Sequence, residues 1–300
     1  MSVNGIKAGE FIRQIIKSLL VSLYEVAVLV LLVSATNLDI TAGLLGKEKV
    51  FETFNATKQD KQDRITSGKV LDSLISEKLL KAGIQDILKS RDSVGDGEYW
   101  INPEGNGNSM KVYCDMTIAG GGWLLVFNVV VEDSKSLPTI AAQDSYRKID
   151  NFRSNALFLT NNALNELRKF LAFTQMRFHC HKPGNRTFHV ATIINSTGEA
   201  VIQFFTGQTI QMPTSCGSFI PLPDDNSILA GECAKWGKEN ENFHVGKWSH
   251  QGRKGLWDHL AMIGNIAHWN IVPPRWECDD FLYTSTPDPH AGSFWKVYVR

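Results

Sequence analysis

The pattern of apolar and polar positions changes twice along the chain. A nearly uncharged apolar segment covers residues 19–35, and Glu25 is its single charged residue. Between residues 70 and 88, apolar residues recur in pairs about one helical turn apart, which predicts an amphipathic helix. Beyond Arg91 short apolar runs alternate with turn residues such as Gly, Pro, Asn and Asp, a pattern typical of strands and hairpins. The body of the chain therefore starts near residue 92.

One helix and several strands are predicted within this body. Residues 163–173 have apolar side chains at helical spacing, with Thr160-Asn161 as an N-cap. The predicted strands cover residues 98–101, 110–116, 124–131, 177–181, 187–194 and 200–205. The fold class is therefore α+β, with short strands, hairpins and few helices.

The apolar segment 19–35 allows two interpretations. Basic residues precede it and small residues, 33–35, end it, as in a cleaved secretory signal peptide. A signal anchor requires about 18–20 apolar residues, and this segment reaches that length only by including residues 36–38, with Glu25 near the middle. We expect a signal peptide over residues 1–35, and a single-pass type II membrane protein is the alternative. Both interpretations place the remaining chain outside the cytoplasm.

Residues 36–91 form a second region. Nine charges fall within the eighteen residues 47–64, which is typical of a solvated spacer. The amphipathic helix follows it, but Lys78 and Lys81 interrupt a strict heptad. Packing of this helix onto the following domain is therefore favoured over self-association, and a homo-oligomer is the alternative. The resulting domain boundaries are 1–35, 36–91 and 92–300.

The start of the third region resembles a known family. Residues 96–101 read Asp-Gly-Glu-Tyr-Trp-Ile, residues 112–116 read Val-Tyr-Cys-Asp-Met, and residues 120–123 read Gly-Gly-Gly-Trp. This order and spacing resemble the opening of the fibrinogen C-terminal domain, and residues 294–300 are similar to its closing strand. The resemblance implies one fibrinogen-like domain over residues 92–300. It is nearest to divergent single-domain proteins of cnidarians, some of which occur in the coral skeletal organic matrix.

Two departures from the family limit what the resemblance implies about sites. The family carries a cysteine upstream that is bridged to the position of Cys114, and Ile84 occupies that place here. The Asp-rich calcium loop of the family and its Gly-Gly-Trp-Trp segment are also missing from the last third of the sequence. Calcium is therefore a weak hypothesis, and turn formation also explains the first pair of its candidate ligands, which are Asp224, Asp225, Asp279 and Asp280.

Composition adds the redox compartment and excludes some partners. The 31 basic and 31 acidic residues cancel, so no global charge attracts nucleic acid. In a secreted chain, five cysteines predict two disulfides and one spare thiol. We favour Cys216–Cys233, which closes the shortest loop. The pairing of the others stays open: Cys114 is either free and buried or bonded to Cys180 or Cys278. Three sequons predict glycans, at Asn55, Asn185 and Asn195.

Candidate chemistry is sparse. His179 and His181 lie on one face of a predicted strand, which suggests a metal-dependent enzyme only remotely, because no third ligand is identifiable. The sequence contains no Gly-x-Ser-x-Gly, His-Glu-x-x-His or Cys-x-x-Cys motif, so we expect no catalysis. Four tryptophans are candidates for a sugar-stacking platform or for the core, namely Trp248, Trp257, Trp269 and Trp276.

The sequence thus favours a secreted, non-catalytic recognition or extracellular-matrix protein. Its expected partners are glycans or matrix proteins, and no cofactor is expected beyond the calcium hypothesis. A purely structural, skeletal matrix component that is crosslinked through the spare cysteine is one alternative. A type II membrane receptor of lectin-like function is a second, and an enzyme with a metal at His179 and His181 is a remote third.

Overall fold

The computed structural model describes residues 87, 93–264, 266–273, 275–280 and 290–300. All of them belong to Ser73–Arg300, one of the two units into which the chain divides. The predicted leader, the charged spacer and the sequon at Asn55 lie outside the described residues. No helix within the described ranges has the length and apolar character needed to cross a membrane.

Strands dominate the described chain, as the sequence predicted for an α+β domain. The α-helices are α1 (Asn161–Leu171), α2 (Ser196–Phe205) and the single turn α3 (Ile228–Gly231). Short 3-10 helices cover Ile118–Gly120, Tyr146–Ser154 and Cys233–Lys235. The strands are β1 (Gly97–Ile101), β2 (Met110–Asp115), β3 (Trp123–Val130), β4 (Ala156–Leu157), β5 (Met176–His181), β6 (Thr187–Thr192), β7 (Phe219–Pro221), β8 (Lys238–Glu239), β9 (Asn242–Phe243), β10 (Ala261–Ile263), β11 (Ala267–Val272), β12 (Arg275–Asp280) and β13 (Phe294–Val299).

The main sheet is built around the last strand of the chain. Its order is β1-β2-β3-β13-β5-β6-β7, and β4 pairs with β3. Each of these pairs is antiparallel, and β13 lies between β3 and β5. Because β13 is flanked on both sides, Trp295 and Val297 are fully buried. The C-terminal strand therefore completes the core of the sheet.

A second sheet and two disulfides organise the rest of the domain. Strands β10, β11 and β12 form a three-stranded antiparallel sheet, and β8 pairs with β9. Cys180 on β5 is bonded to Cys278 on β12, so one disulfide joins the two larger sheets. Cys216 is bonded to Cys233, the pair that closes the shortest loop. Cys114 is free and buried.

One buried ion pair crosses the main sheet. The Arg177 guanidinium donates to the Asp115 carboxylate at 2.6 Å, and only 1% of the Arg177 side chain is exposed. The cation also lies over the rings of Trp123 and Tyr298, with centroid distances of 5.0 and 3.9 Å. Burial alone would raise the pKa of Asp115. Hydrogen bonds from backbone N–H groups, foremost that of Ile118, and the charge of Arg177 have the larger, opposite effect, so the pKa of Asp115 is lowered overall. The carboxylate is therefore held in its charged form.

Helix α1 begins near the predicted position. The Thr160 hydroxyl accepts a hydrogen bond from the N–H of Ala163 at 3.2 Å, which is the predicted N-cap. The predicted strand over residues 200–205 is wrong, because these residues form the second half of helix α2. A short apolar run does not distinguish a strand from a buried helix. Here the Asn195 side chain accepts from the N–H groups of Thr197 and Gly198 and starts a helix.

Candidate functional site

An apolar cavity of about 540 Å³ opens beside the three-stranded sheet. Its lining comes from three places: the loop of residues 137–140, Trp257, and the β11–β12 hairpin with residues 271–273 and Trp276. Among the described residues of this lining, Thr139 is the one with a hydroxyl side chain. Ligand sites are usually concave, mostly apolar and equipped with few polar groups, so this cavity is the candidate recognition site.

Trp257 forms one wall of the cavity and is held from several sides. Its carbonyl oxygen accepts a hydrogen bond from the N–H of Ile271 at 2.7 Å, which ties its loop to β11. Its ring packs edge-on against Phe158, with the centroids 6.3 Å apart. A Cβ atom at Gly255 would lie 2.7 Å from the Trp257 ring, so a residue without a side chain is required there. The indole is therefore pre-positioned while part of it stays exposed.

The opposite wall follows from the register of the hairpin. Ile271 pairs with Trp276 and Val272 pairs with Arg275, so the strands turn at Pro273. Proline cannot donate to a strand ladder and suits the turn that ends it. Trp276 is 2% exposed and its ring packs on Trp295 at 5.7 Å between centroids. This wall is therefore an extension of the core.

Charged residues alternate with the cavity residues along β12. Arg275 and Glu277 flank Trp276, so their side chains lie on the other face of the strand. Arg275 donates two hydrogen bonds to the Glu277 carboxylate, at 3.0 and 2.8 Å, and one nitrogen lies 2.6 Å from Nδ1 of His268. Burial raises the pKa of Glu277, but hydrogen bonds from His268 and Arg275 lower it more. This ion pair stabilises the hairpin on the face opposite the cavity.

His259 lies beside this ion pair. Its ring centroid is 5.8 Å from the rings of His250 and His268. Burial and, next, the charge of Arg275 lower the pKa of His259 to about 3, so the ring is neutral at physiological pH. Its Nδ1 atom is buried and has no hydrogen-bond partner among the described residues. Asp258, the neighbouring carboxylate, is already paired with an arginine. None of these groups is among the described residues that line the cavity, and those residues include no carboxylate, histidine, lysine or cysteine.

The predicted tryptophan platform is not present. Trp248 and Trp269 are fully buried and Trp276 nearly so, and only Trp257 lines the cavity with a partly exposed ring. The buried indoles use their N–H groups internally: Trp248 donates to Ser218 Oγ at 2.8 Å and Trp269 to the Leu256 carbonyl at 3.0 Å. The spacing of the tryptophans alone did not reveal which indole N–H groups have hydrogen-bond partners inside the core.

The calcium candidates are engaged elsewhere. The Asp279 carboxylate pairs with Arg186 and accepts from the N–H groups of Ile228 and Leu229 at 2.9 and 2.8 Å. Asp280 forms an ion pair with Lys182. Within the described ranges neither residue belongs to a cluster of histidine, cysteine and carboxylate side chains placed to hold a metal. Both aspartates therefore have ion-pair partners inside the domain.

The second acidic pair has separate roles. Asp225 accepts from the N–H of His189 at 2.9 Å and from Ser227 Oγ at 2.9 Å, which stabilises its turn. Asp224 lies beside a histidine. The two neighbouring carboxylates therefore point to different partner atoms.

His179 and His181 do not form a pair in the structure. His181 Nδ1 lies 2.9 Å from Thr187 Oγ1, whereas the ring of His179 stacks on His189, with centroids 3.7 Å apart. His189 is the residue that sequence reasoning missed. The two strands of the hairpin were both predicted, and a turn centred on Gly184 places His179 opposite His189. The register of the hairpin was therefore the available signal.

Two of the three sequons lie on the described surface. Asn185 is exposed and its Nδ2 donates to Asp280 at 3.1 Å. Asn195 is exposed and caps helix α2 through its oxygen. A glycan is attached to Nδ2, so the cap at Asn195 leaves the acceptor atom available.

Comparison with known proteins supports the family resemblance over part of the chain. No curated protein sequence matches the chain. Among solved structures, the fibrinogen-like globe domain of human ANGPTL2 has 13% identity and a TM-score of 0.34, covering 73% of this chain and 97% of that one. Residues 84–193 match the family model described as fibrinogen beta and gamma chains, C-terminal globular domain. This segment, which contains strands β1 to β6, is therefore similar to the fibrinogen C-terminal domain.

Proposed function

We propose that residues 92–300 form an extracellular, non-catalytic recognition domain that binds an apolar group of its ligand in the cavity at Trp257. The observation that carries the proposal is the lining: its described members are residues 137–140, residues 271–273 and two tryptophans, and Thr139 is the one hydroxyl residue among them. Such a surface gains free energy by taking an apolar group out of water. The family resemblance of residues 84–193 supports recognition as the general role.

The preferred ligand is a partner protein of the extracellular matrix that inserts an aliphatic or aromatic side chain. Carbohydrate is bound through exposed ring faces together with many hydrogen bonds. The cavity offers one partly exposed ring, that of Trp257, and few polar groups. A glycan is therefore the second candidate ligand. It would bind by placing an apolar substituent in the cavity, and not by stacking the face of a sugar ring.

The extracellular location rests on covalent chemistry. Disulfides persist in oxidising compartments, and the domain contains two, Cys180–Cys278 and Cys216–Cys233. We propose secretion after cleavage within residues 1–35, with glycans on the exposed sequons. Retention of this segment would give the type II membrane alternative. N-terminal sequencing of the mature protein, with detection in medium or in membranes, distinguishes the two.

A skeletal or other matrix role would depend on binding and not on a cysteine crosslink. Four of the five cysteines are bonded within the chain and Cys114 is buried, where burial raises the pKa of its thiol to about 12. A thiol of this kind is inert toward disulfide exchange. The crosslinking hypothesis therefore loses its chemical basis, and the matrix hypothesis requires a ligand.

The test uses arrays of purified extracellular-matrix proteins and of glycans, probed with the secreted wild-type protein and two variants. Ile140→Asp places a charge in the cavity wall, and the matched control Ile210→Asp changes a residue that is 82% exposed and outside the cavity. We expect at least tenfold weaker binding for Ile140→Asp and unchanged binding for the control. Equal binding of both variants, or no binding of the wild type to either array, would reject the proposal.

A further inference from the structure

Two histidines on the β5–β6 hairpin converge with one aspartate that follows β7, in a part of the domain that does not line the apolar cavity. We propose that His179, His189 and Asp224 form a binding site for Zn²⁺. In the described part of the chain, these three residues are the one group of histidine, cysteine or carboxylate side chains placed to hold a metal ion. Their candidate ligand atoms all lie within 4.8 Å of one another.

The geometry is set by the β5–β6 hairpin. His179 and His189 are directly opposed across the two strands, and their rings stack at 3.7 Å with 7° between the planes. The two oxygens of Asp224 face one nitrogen from each ring: Oδ1 lies 2.6 Å from His189 Nδ1 and Oδ2 lies 3.7 Å from His179 Nε2. One carboxylate therefore spans both imidazoles. The lone pairs of parallel rings lie in the ring planes and do not converge, so coordination of a common ion requires the rings to rotate out of the stack.

The turn that carries Asp224 is fixed to β6 by backbone contacts. The N–H of Leu222 donates to the His189 carbonyl at 2.9 Å, and the His189 N–H donates to Asp225 Oδ1 at the same distance. The N–H of Asn226 donates to the Thr187 carbonyl at 3.1 Å. Asp224 lies between these anchor points. The position of the third ligand is therefore defined before any ion binds.

The cluster contains a buried nitrogen without a partner. The His189 side chain is 1% exposed, and its Nε2 has no hydrogen-bond partner among the described residues, although buried polar atoms are normally paired. The other nitrogen of this ring, Nδ1, faces Asp224. Imidazole nitrogens are the commonest metal ligands in proteins.

The donor set selects the ion. Two imidazole nitrogens and one carboxylate oxygen suit Zn²⁺, whereas Ca²⁺ and Mg²⁺ prefer oxygen ligands. Three protein ligands leave one position of a tetrahedral zinc open. The Asp224 side chain is 55% exposed and that of His179 20%, so the ion would be reached from solvent. Lys296 and Arg177 are the neighbouring cations, and Asp115 already neutralises Arg177.

The experiment measures zinc binding by the untagged protein. Bound metal is first stripped with a chelator, and the chelator is then removed. Titration with ZnCl₂ by calorimetry should give one ion per chain, and CaCl₂ should give no comparable heat. Asp224→Asn and His179→Gln should each weaken zinc binding at least tenfold. The matched control is His181→Gln, because His181 lies on the same strand and face but outside the cluster. Circular dichroism of each variant verifies the fold.

Several outcomes would overturn the proposal. The first is a wild-type protein that binds no stoichiometric zinc. The second is unchanged affinity in both folded variants, Asp224→Asn and His179→Gln. The third is a loss of zinc affinity in His181→Gln as large as that in His179→Gln, which would show that the zinc site is not the proposed cluster. Visible absorption of the Co²⁺-substituted protein supplies a readout independent of stability, and a tetrahedral spectrum that Asp224→Asn removes would support the three-ligand site.

Discussion

The two disulfides should contribute unequally to stability, because they close loops of very different length. Cys216 and Cys233 are 17 residues apart, whereas Cys180 and Cys278 are 98 apart. We propose two variants, Cys180→Ala/Cys278→Ala and Cys216→Ala/Cys233→Ala, each lacking one bond. Both bonds lie within the domain, and each variant leaves the other bond intact. The comparison therefore tests the effect of loop length, and the m-value separates it from the effect of a cavity at the mutated cysteines.

The magnitude follows from the entropy that each bond removes from the unfolded chain. A 17-residue loop corresponds to about 3 kcal/mol of unfolding free energy. The longer loop contains the shorter one, so its effective length in the unfolded chain is about 80 residues, which adds about 1.4 kcal/mol. Cys180 and Cys278 are fully buried, and the cavity left by alanine increases the loss further. The long-loop variant is therefore the less stable one.

Denaturant unfolding followed by tryptophan fluorescence measures the difference. We expect the long-loop variant to lose at least about 1.4 kcal/mol more than the short-loop variant, and to show the larger increase in m-value because its unfolded state is less restricted. A cavity alone would leave the m-value unchanged. Equal losses, or a larger loss for Cys216→Ala/Cys233→Ala, would refute the reasoning from loop length.

Three further predictions concern buried polar groups. Arg177→Met should lower the unfolding free energy by about 3–5 kcal/mol, because it leaves the buried Asp115 carboxylate without its cation. The control Arg153→Met changes a side chain that is 72% exposed and should have a small effect in the same denaturant assay. Alkylation of Cys114 by iodoacetamide at pH 8 should be at least about 100-fold slower in the folded protein than in denaturant, since its thiol pKa of about 12 keeps it protonated, and equal rates would contradict its burial. The His259 pKa of about 3 means that the unfolded state, with a histidine pKa near 6.5, binds more protons below that pH. Stability should therefore fall by about 2 kcal/mol between pH 6.5 and pH 5 on account of this ring, and His259→Gln should remove that part of the pH dependence.

The sequence predicted the scaffold well where a local pattern decides the structure. Helix α1 was located by its cap at Thr160, and apolar runs between turns located five strands of the main sheet, β1, β2, β3, β5 and β6. Strand β13 was expected from the family resemblance, whereas β4 and β7 were not predicted. Helix α2 was missed because its apolar run has no strict period. The Asn195 cap that starts it also belongs to a sequon, and the sequon was the feature recognised there.

The candidate sites depend on contacts that single elements do not reveal. The cavity joins residues 137–140 to the β11–β12 hairpin, segments more than one hundred residues apart in the chain. His179 was noticed beside His181 because strand alternation is a local rule. Its actual neighbour, His189, required the register of a hairpin, and Asp224 required the packing of a third segment. Long-range pairing is what a sequence pattern leaves undetermined.

The division between matched and unmatched sequence explains why the ligand cannot be taken from the family. The match to the fibrinogen family model ends at residue 193, and most of the cavity lies beyond it, in Trp257 and the β11–β12 hairpin. The loop 137–140 is the part of the cavity within the matched segment. A scaffold can be retained while the loops and hairpins that it carries change their specificity. The ligand that we propose for this domain is therefore inferred from the chemistry of its own cavity, which favours an apolar group.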